Sequence, residues 1–466
     1  MTWGWGLLKV NKWKKTAAAV FFVSGVCLSA TGAVAQDTQA QNIRLSPEAA
    51  LGVARQALER GDLALAAGIA DAFIARNPED YRARILRALV AQRRGNLDVA
   101  SENARAAYRA AINDAQRFES AWLVANVLGA QKRWERSKLW LRRADEAAPN
   151  EAAKRRVTEA YRVARRESPL SIQLSFAVRP TDNLNKGSDR DITTTQSAIR
   201  GTEASASASI SYRIHANAKS RTELFFQNYT RLAFPEGDFE TEVPGSDSRY
   251  FDFVVATVGV SHQRVLFENL GPTGIRLSYG GSYFRNEHLN SFANVGLSQV
   301  VRLNERESLR FGFDWRDETR IDARLSSTIS RSVSADWTRR LGGAASMSFG
   351  AAYTAYNSGS TVREGKQLEF RASRTWDAKL LGATPDARLS YALRYLPIFD
   401  DNPFDGLPAA GRVDRVTRLT LGLTFNDYSW YGFVPRVEIQ RAAQNSTLEE
   451  WSWSDNSIGV TLVSRF

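Results

Sequence analysis

From residue 168 to residue 466 the chain alternates apolar and polar side chains at period two, and few folds can use that pattern for so long. Leu309, Phe311, Phe313 and Trp315 share one face, with Arg310, Gly312, Asp314 and Arg316 on the other. Leu368, Phe370 and Ala372 likewise oppose Glu369, Arg371 and Ser373. Leu389, Tyr391, Leu393 and Tyr395 oppose Arg388, Ser390, Ala392 and Arg394. Leu419, Leu421 and Leu423 oppose Arg418, Thr420 and Gly422, and Val437 and Ile439 oppose Arg436, Glu438 and Gln440. About fourteen such strands can be counted, near 171–179, 204–214, 221–230, 250–262, 273–285, 292–302, 306–316, 328–338, 344–356, 365–376, 386–396, 415–425, 431–440 and 456–466.

Their connections alternate between brief ones such as "LNERES" and "RRLGGA" and long polar ones such as "YLPIFDDNPFDGLPAAGRVD". A soluble sandwich has no reason to alternate its loops, whereas a transmembrane antiparallel β-barrel has short turns at one end and longer loops at the other. Closure removes the edge strands, the apolar face meets lipid, and the polar face lines a lumen. On that reading Arg310, Asp314, Glu369, Arg371, Arg388, Arg394, Arg418, Arg436 and Glu438 are candidate lumen-facing charges. Trp315, Trp337, Trp376, Trp430 and Tyr431 are expected in interfacial girdles at strand ends. The last segment, "SIGVTLVSRF", reads as the closing strand. With Val460, Leu462 and Phe466 it resembles the C-terminal signal that outer-membrane proteins present to the barrel insertion machinery, although Ser464 stands where a larger apolar residue is common.

The first 35 residues predict a secretory signal peptide: Lys9, Lys12, Lys14 and Lys15, an apolar run from Thr16 to Ala30, then Ala33-Val34-Ala35. That run is shorter than the roughly 20 residues a spanning helix needs. The only cysteine, Cys27, lies inside it after Val26, which does not suit lipid attachment, so the expected mature chain has neither disulfide nor thiolate metal site. Of the net charge of +12, the signal lysines contribute four, and residues 36–169 hold 24 Lys/Arg against 17 Asp/Glu. For an exported chain this argues against nucleic acid and for a solvated helical surface or an acidic partner.

Residues 36–167 form the predicted helical domain, with apolar positions every three or four residues over 44–167. Gly61 and Ala66 recur as Gly95 and Ala100 after 34 residues, and Pro78 follows Gly61 by the same 17 positions that separate Pro149 from Lys132. A period near 34 belongs to tetratricopeptide repeats, helix pairs stacked into a solenoid whose surface binds peptides. Glycine lets the pair turn, alanine lets it pack closely, and proline stops the second helix. The fold class is therefore α + β multidomain, a tetratricopeptide-like solenoid followed by a barrel over 168–466.

Chemistry for catalysis is sparse. His215, His262 and His288 stand at neither triad nor metal-ligand spacing, and no Gly-x-Ser-x-Gly, Walker or paired Asp-His pattern occurs. Neither an enzyme nor a cofactor or metal site is expected.

One segment carries a resemblance. "SFAVRPTDNLNKGSDRDI" places Pro180, Asn183, Leu184 and Asn185 at the end of the first strand. This resembles the opening of the barrel in the surface lipoprotein assembly modifier (Slam) family, and the order of signal peptide, short repeat domain and about fourteen strands is similar to that family throughout. The resemblance implies a translocon in the outer membrane of a Gram-negative bacterium that delivers a client lipoprotein or secreted protein to the surface. It places the helical domain in the periplasm and outer-membrane lipid around the barrel. Two other functions use related parts: an exopolysaccharide export porin, in which repeat arrays are much longer, and a passive channel, in which a repeat domain has no evident use.

Overall fold

The structure is a computed structural model that describes residues 46–189, 197–237, 251–267, 270–321, 327–360, 362–399, 411–430 and 432–464. The predicted signal peptide, Cys27, Tyr431 and Phe466 lie outside these residues.

Seven helices come first: α1 (Pro47–Arg60), α2 (Leu63–Arg76), α3 (Tyr81–Arg93), α4 (Leu97–Ala110), α5 (Asp114–Ala130), α6 (Trp134–Glu146) and α7 (Glu151–Glu167). Asp62, Asp80, Asn113 and Asn150 cap α2, α3, α5 and α7 by accepting the N–H three residues on, at 2.9–3.0 Å. The repeat turns where expected. Gly61 and Gly95 have φ of +86° and +79°, and Lys132 adopts the same left-handed conformation at +59° despite its side chain. Beneath these turns Ala66 and Ala100 are wholly buried, and in the third pair Ser137 fills the position, donating to Ala125 O at 2.8 Å. The third unit thus keeps the repeat geometry without the repeat residues. Tyr81 ties α3 to α5, donating to Glu119 at 2.7 Å, and burial together with that carboxylate pushes its phenol pKa upward.

The remaining elements are fourteen strands: β1 (Leu170–Thr181), β2 (Gly201–Ala216), β3 (Ser220–Pro235), β4 (Phe253–Arg264), β5 (Thr273–Phe284), β6 (Glu287–Arg302), β7 (Glu307–Arg320), β8 (Thr328–Gly342), β9 (Ala345–Ser358), β10 (Gly365–Thr375), β11 (Thr384–Leu396), β12 (Arg412–Thr424), β13 (Phe433–Ser446) and β14 (Trp453–Ser464). Each pairs antiparallel with its neighbours in sequence, and β1 pairs with β14 to close the barrel. Closure explains an otherwise costly surface: Phe311, Phe313, Leu389, Leu421, Ile439 and Val460 all stand exposed on the outward phase of their strands. No helix among the described residues is long and apolar enough to cross a membrane.

The alternation of loop lengths is less regular than the sequence suggests. At the end reached by β1 as it rises, 182–200, 236–252 and 397–411 are long. Yet β5 and β6 join there through Arg285 and Asn286 alone, both at positive φ, a primed two-residue turn. At the opposite end, 265–272, 376–383 and 425–432 are longer than the minimum a hairpin needs. Trp376 and Trp430 lie at that end, but Trp315 stands within β7, so it is not the strand-end residue expected.

Candidate functional site: lumen wall, seam and mouth

The predicted lumen charges share the inward phase of the strands. Arg310 and Asp314 line a wall recess of about 410 Å³ that also contains Arg276 and Glu223. Glu369, Arg371, Arg388 and Arg418 line a second of about 410 Å³ with Asp336. Most of these charges are paired. Arg371 reaches Asp336 at 2.9 Å, and Arg388 reaches Glu438 at the same distance. Arg436 joins Glu438 at 2.6 Å and forks onto Asp386, one arm at 2.9 Å. Arg394 lies over the Tyr356 ring, 5.7 Å from its centroid. Arg310 and Arg418 have no carboxylate partner among the described residues. Alternating-phase reading could have found Asp336 and Asp386 as well, since both lie in phase with the residues it named.

The seam that closes the barrel is its least regular junction. β1 pairs with β2 over its whole length, Leu170 to Thr181. With β14 it pairs over Ser175–Val178 and again at Thr181, with a gap at Arg179 and Pro180, the latter having no N–H to donate. Beyond the gap the segment that carries the family resemblance folds across the junction. Thr181 donates to the Asp455 carboxylate and Lys186 forms an ion pair with it, while Asp455 itself is fully buried. Asn183 Nδ2 donates to Ser454 O at 2.9 Å, and its Oδ1 accepts Gly187 N–H at 2.8 Å. Asp182 accepts both the backbone N–H and the side-chain amide of Asn456, at 2.7 and 2.8 Å. Asn185 accepts Ile199 N–H at 3.0 Å and donates to Ser197 O at 2.8 Å. Leu184 is buried with Ile199, Ala233 and Phe251. Pro180, Asn183, Leu184 and Asn185 are thus brought together, as a latch over the seam. Their partner Asp455 was missed, since nothing local in "WSDNS" marks it. Val460 and Leu462 face outward on β14, opposite Val178 and Phe176.

At the other end of β1 the helical domain meets the barrel mouth. Arg213 on β2 donates through Nη2 to the carbonyls of Arg166, Glu167 and Ser168, at 2.7, 3.0 and 2.8 Å. These are the last acceptors of α7, which no helical N–H can satisfy, and a cation suits that end of the helix dipole. Lys138 on α6 is buried there, pairing with Glu135 at 2.9 Å and donating to Leu170 O at 3.1 Å. Further out, Phe118 and Trp122 stack on α5 and Arg156 of α7 lies 5.2 Å from the Trp122 centroid, a half-buried aromatic and cationic platform.

No family profile matches the chain, and no curated protein does. Solved structures do show similarity. OccAB4 of Acinetobacter baumannii is 10% identical with a TM-score of 0.34, covering 63% of this chain and 98% of its own. The TPR2B domain of yeast Sti1, in a complex with an Hsp70 peptide, is 20% identical with a TM-score of 0.24, covering 26% of this chain and 97% of its own. The type III secretion chaperone SycD of Yersinia enterocolitica, in complex with a peptide of the translocator YopD, is 16% identical with a TM-score of 0.24, covering 26% and 92%. By its own elements the chain joins seven helices, turning at Gly61, Gly95 and Lys132, to a closed antiparallel barrel of fourteen strands.

The three histidines make only local contacts. His215 meets Asn217 at 3.1 Å, His262 meets Thr222 at 2.8 Å, and His288 meets Asn290 O and Ser291 at 3.0 and 3.2 Å.

Proposed function

We propose that this protein is an outer-membrane translocon that hands specific client proteins, surface lipoproteins or secreted soluble proteins, from a periplasmic repeat domain to the barrel. The observation that carries this reading is the grip of Arg213 on the end of α7, which ties the helical repeat domain to the barrel mouth, and stacked helical repeats offer extended binding surfaces. A bare channel needs no such part. In this account the short-turn end faces the periplasm, the Phe118–Trp122–Arg156 platform holds an extended client segment, and the client leaves through the β1–β14 seam, where the ladder is shortest and broken. A second reading, a passive channel for anionic solutes, is favoured by the guanidinium groups of Arg310 and Arg418 on the lumen wall, which have no ion-pair partner among the described residues.

The test is in-cell photocross-linking with p-benzoylphenylalanine in place of Trp122 in the full chain. Exported proteins encoded beside this one should be captured at Trp122 and not at Arg109, an exposed control on α4. Equal capture at both positions would remove the solenoid from the transport path.

A further inference from the structure

The outer wall of the barrel carries cations on one side only of the half nearer the long loops. Arg331 on β8 and Lys366 on β10 both stand level with Ala355 on β9, the strand between them. They lie in phase with Val333 and Leu368, which are exposed on the outer wall. Cα atoms two strands apart are about 9.5 Å from each other, so an arginine and a lysine can converge over the small side chain between them. Aromatic rings flank the row, Trp315 level with Arg331 on β7 and Tyr395 level with Lys366 on β11. Arg415 on β12 stands opposite Leu393, one outward step closer to the barrel middle than Tyr395. Arg331, Lys366 and Arg415 are all exposed, and none has an ion-pair partner among the described residues. The nearby carboxylates do not compensate them. Asp317, diagonal to Arg331 on β7, forms no ion pair with it, and Glu364 accepts the N–H of Ser358.

Elsewhere the outer wall avoids such groups or pairs them. The same half of β2 to β6 has no lysine or arginine on its outward phase, where Leu232, Val254 and Tyr283 stand instead. At the short-turn end, the outward Arg339 is paired with Glu307 at 3.4 Å. An unpaired cation on the lipid face of a strand is costly within hydrocarbon and becomes favourable only where anionic headgroups meet it. We infer that this wall binds a phosphorylated lipid of the leaflet at the long-loop end. One phosphate sits between Arg331 and Lys366 over Ala355, a second sits at Arg415, and acyl chains lie along Val333, Tyr353 and Leu368. Three cations spread from β8 to β12 outnumber the single charge of a phosphodiester, so the occupant is a lipid bearing two phosphates, of the lipid A type. This rests on the reading of the barrel as an outer-membrane span with its long loops outside.

The test is native mass spectrometry of the full chain in neutral detergent, titrated with diphosphoryl lipid A, palmitoyl-oleoyl phosphatidylglycerol or the corresponding phosphatidylcholine. The wild type should retain one lipid A at concentrations at least tenfold below those needed for phosphatidylglycerol, and no phosphatidylcholine. R331Q/K366Q should weaken lipid A retention at least tenfold. R264Q, at an exposed cation near the short-turn end of β4, should weaken it less than twofold. A355E keeps both cations and sets a carboxylate between them, so it should lose retention as the double variant does. Heat-modifiable mobility checks that each variant folds, and A355E decides if the double variant does not. Equal retention of lipid A and either phospholipid, or equal loss in R264Q and R331Q/K366Q, would overturn the site. Fractionation of the producing cells tests the membrane reading separately. Protein recovered from the outer membrane without lipid A preference would refute this site alone, and protein recovered elsewhere would refute the outer-membrane reading.

Discussion

Replacing Asp455 with asparagine should loosen the seam and leave the rest of the barrel unchanged. The carboxylate is fully buried at the end of β14 and receives Thr181 and Lys186 from the β1 side. Asparagine preserves its volume, so no cavity term enters, and its carbonyl can still accept from Thr181. The charge opposite Lys186 is lost. Removing one partner of a buried pair costs about 3–5 kcal/mol. The Lys186 side chain is 35% exposed and can rehydrate, which lowers the expected cost to about 2–3 kcal/mol. The loss is local, because both partners of the carboxylate, Thr181 and Lys186, lie on the β1 side of this one seam. Hydrogen exchange on the purified barrel in detergent reads it directly, since the amides within 175–181 and 457–463 that bond across β1–β14 exchange through opening of this seam. At a factor of ten per roughly 1.4 kcal/mol, they should exchange about 30–150 times faster in D455N. The β8–β9 ladder should not change. Acceleration below threefold at the seam, or equal acceleration at β8–β9, would refute the latch.

Three further outcomes follow from the same geometry. The double substitution A177C/T461C places cysteines at directly opposed positions in a chain whose only other cysteine is Cys27, so a disulfide should form across the seam and abolish client display until reductant is added; display by the oxidised protein would assign the route to the lumen. Leu128→Ala removes a fully buried side chain from the solenoid core and should cost about 3–4 kcal/mol, seen as a lower urea midpoint of the helical circular dichroism with unchanged heat-modifiable mobility of the barrel. Lys132→Gly relieves a left-handed backbone at the third repeat turn, and after the entropy of the added glycine it should stabilise the solenoid by about 0.5–1 kcal/mol in the same denaturation.

Strands were legible because each turns one apolar face outward from the barrel, so alternation recurs along all fourteen and breaks only at bulges such as that between Arg213 and His215. Loop lengths misled at Arg285-Asn286, where two residues able to take positive φ make a hairpin that the surrounding polar sequence hid. The third repeat was hard to read for a related reason. Its turn is made by Lys132 and its close contact by Ser137, residues that carry no repeat signature but satisfy the same backbone and volume demands. The segment from Pro180 to Asn185 was recognisable as a motif, yet its work depends on Ser454, Asp455 and Asn456, some 270 positions away and beside it only because the barrel closes. The anchoring of the solenoid by Arg213 was equally invisible, since in sequence it is one more polar residue near a strand end.

We propose that this chain carries client proteins across the outer membrane by way of its helical domain. The decisive measurement is protease accessibility on intact cells expressing each exported protein encoded beside this chain, with the full chain, without it, and with residues 46–167 deleted. A client should be digested from outside only when the full chain is present, and protected when the barrel is inserted without its helices. A client exposed equally in all three, or none exposed while the full-length barrel is correctly inserted, would contradict it.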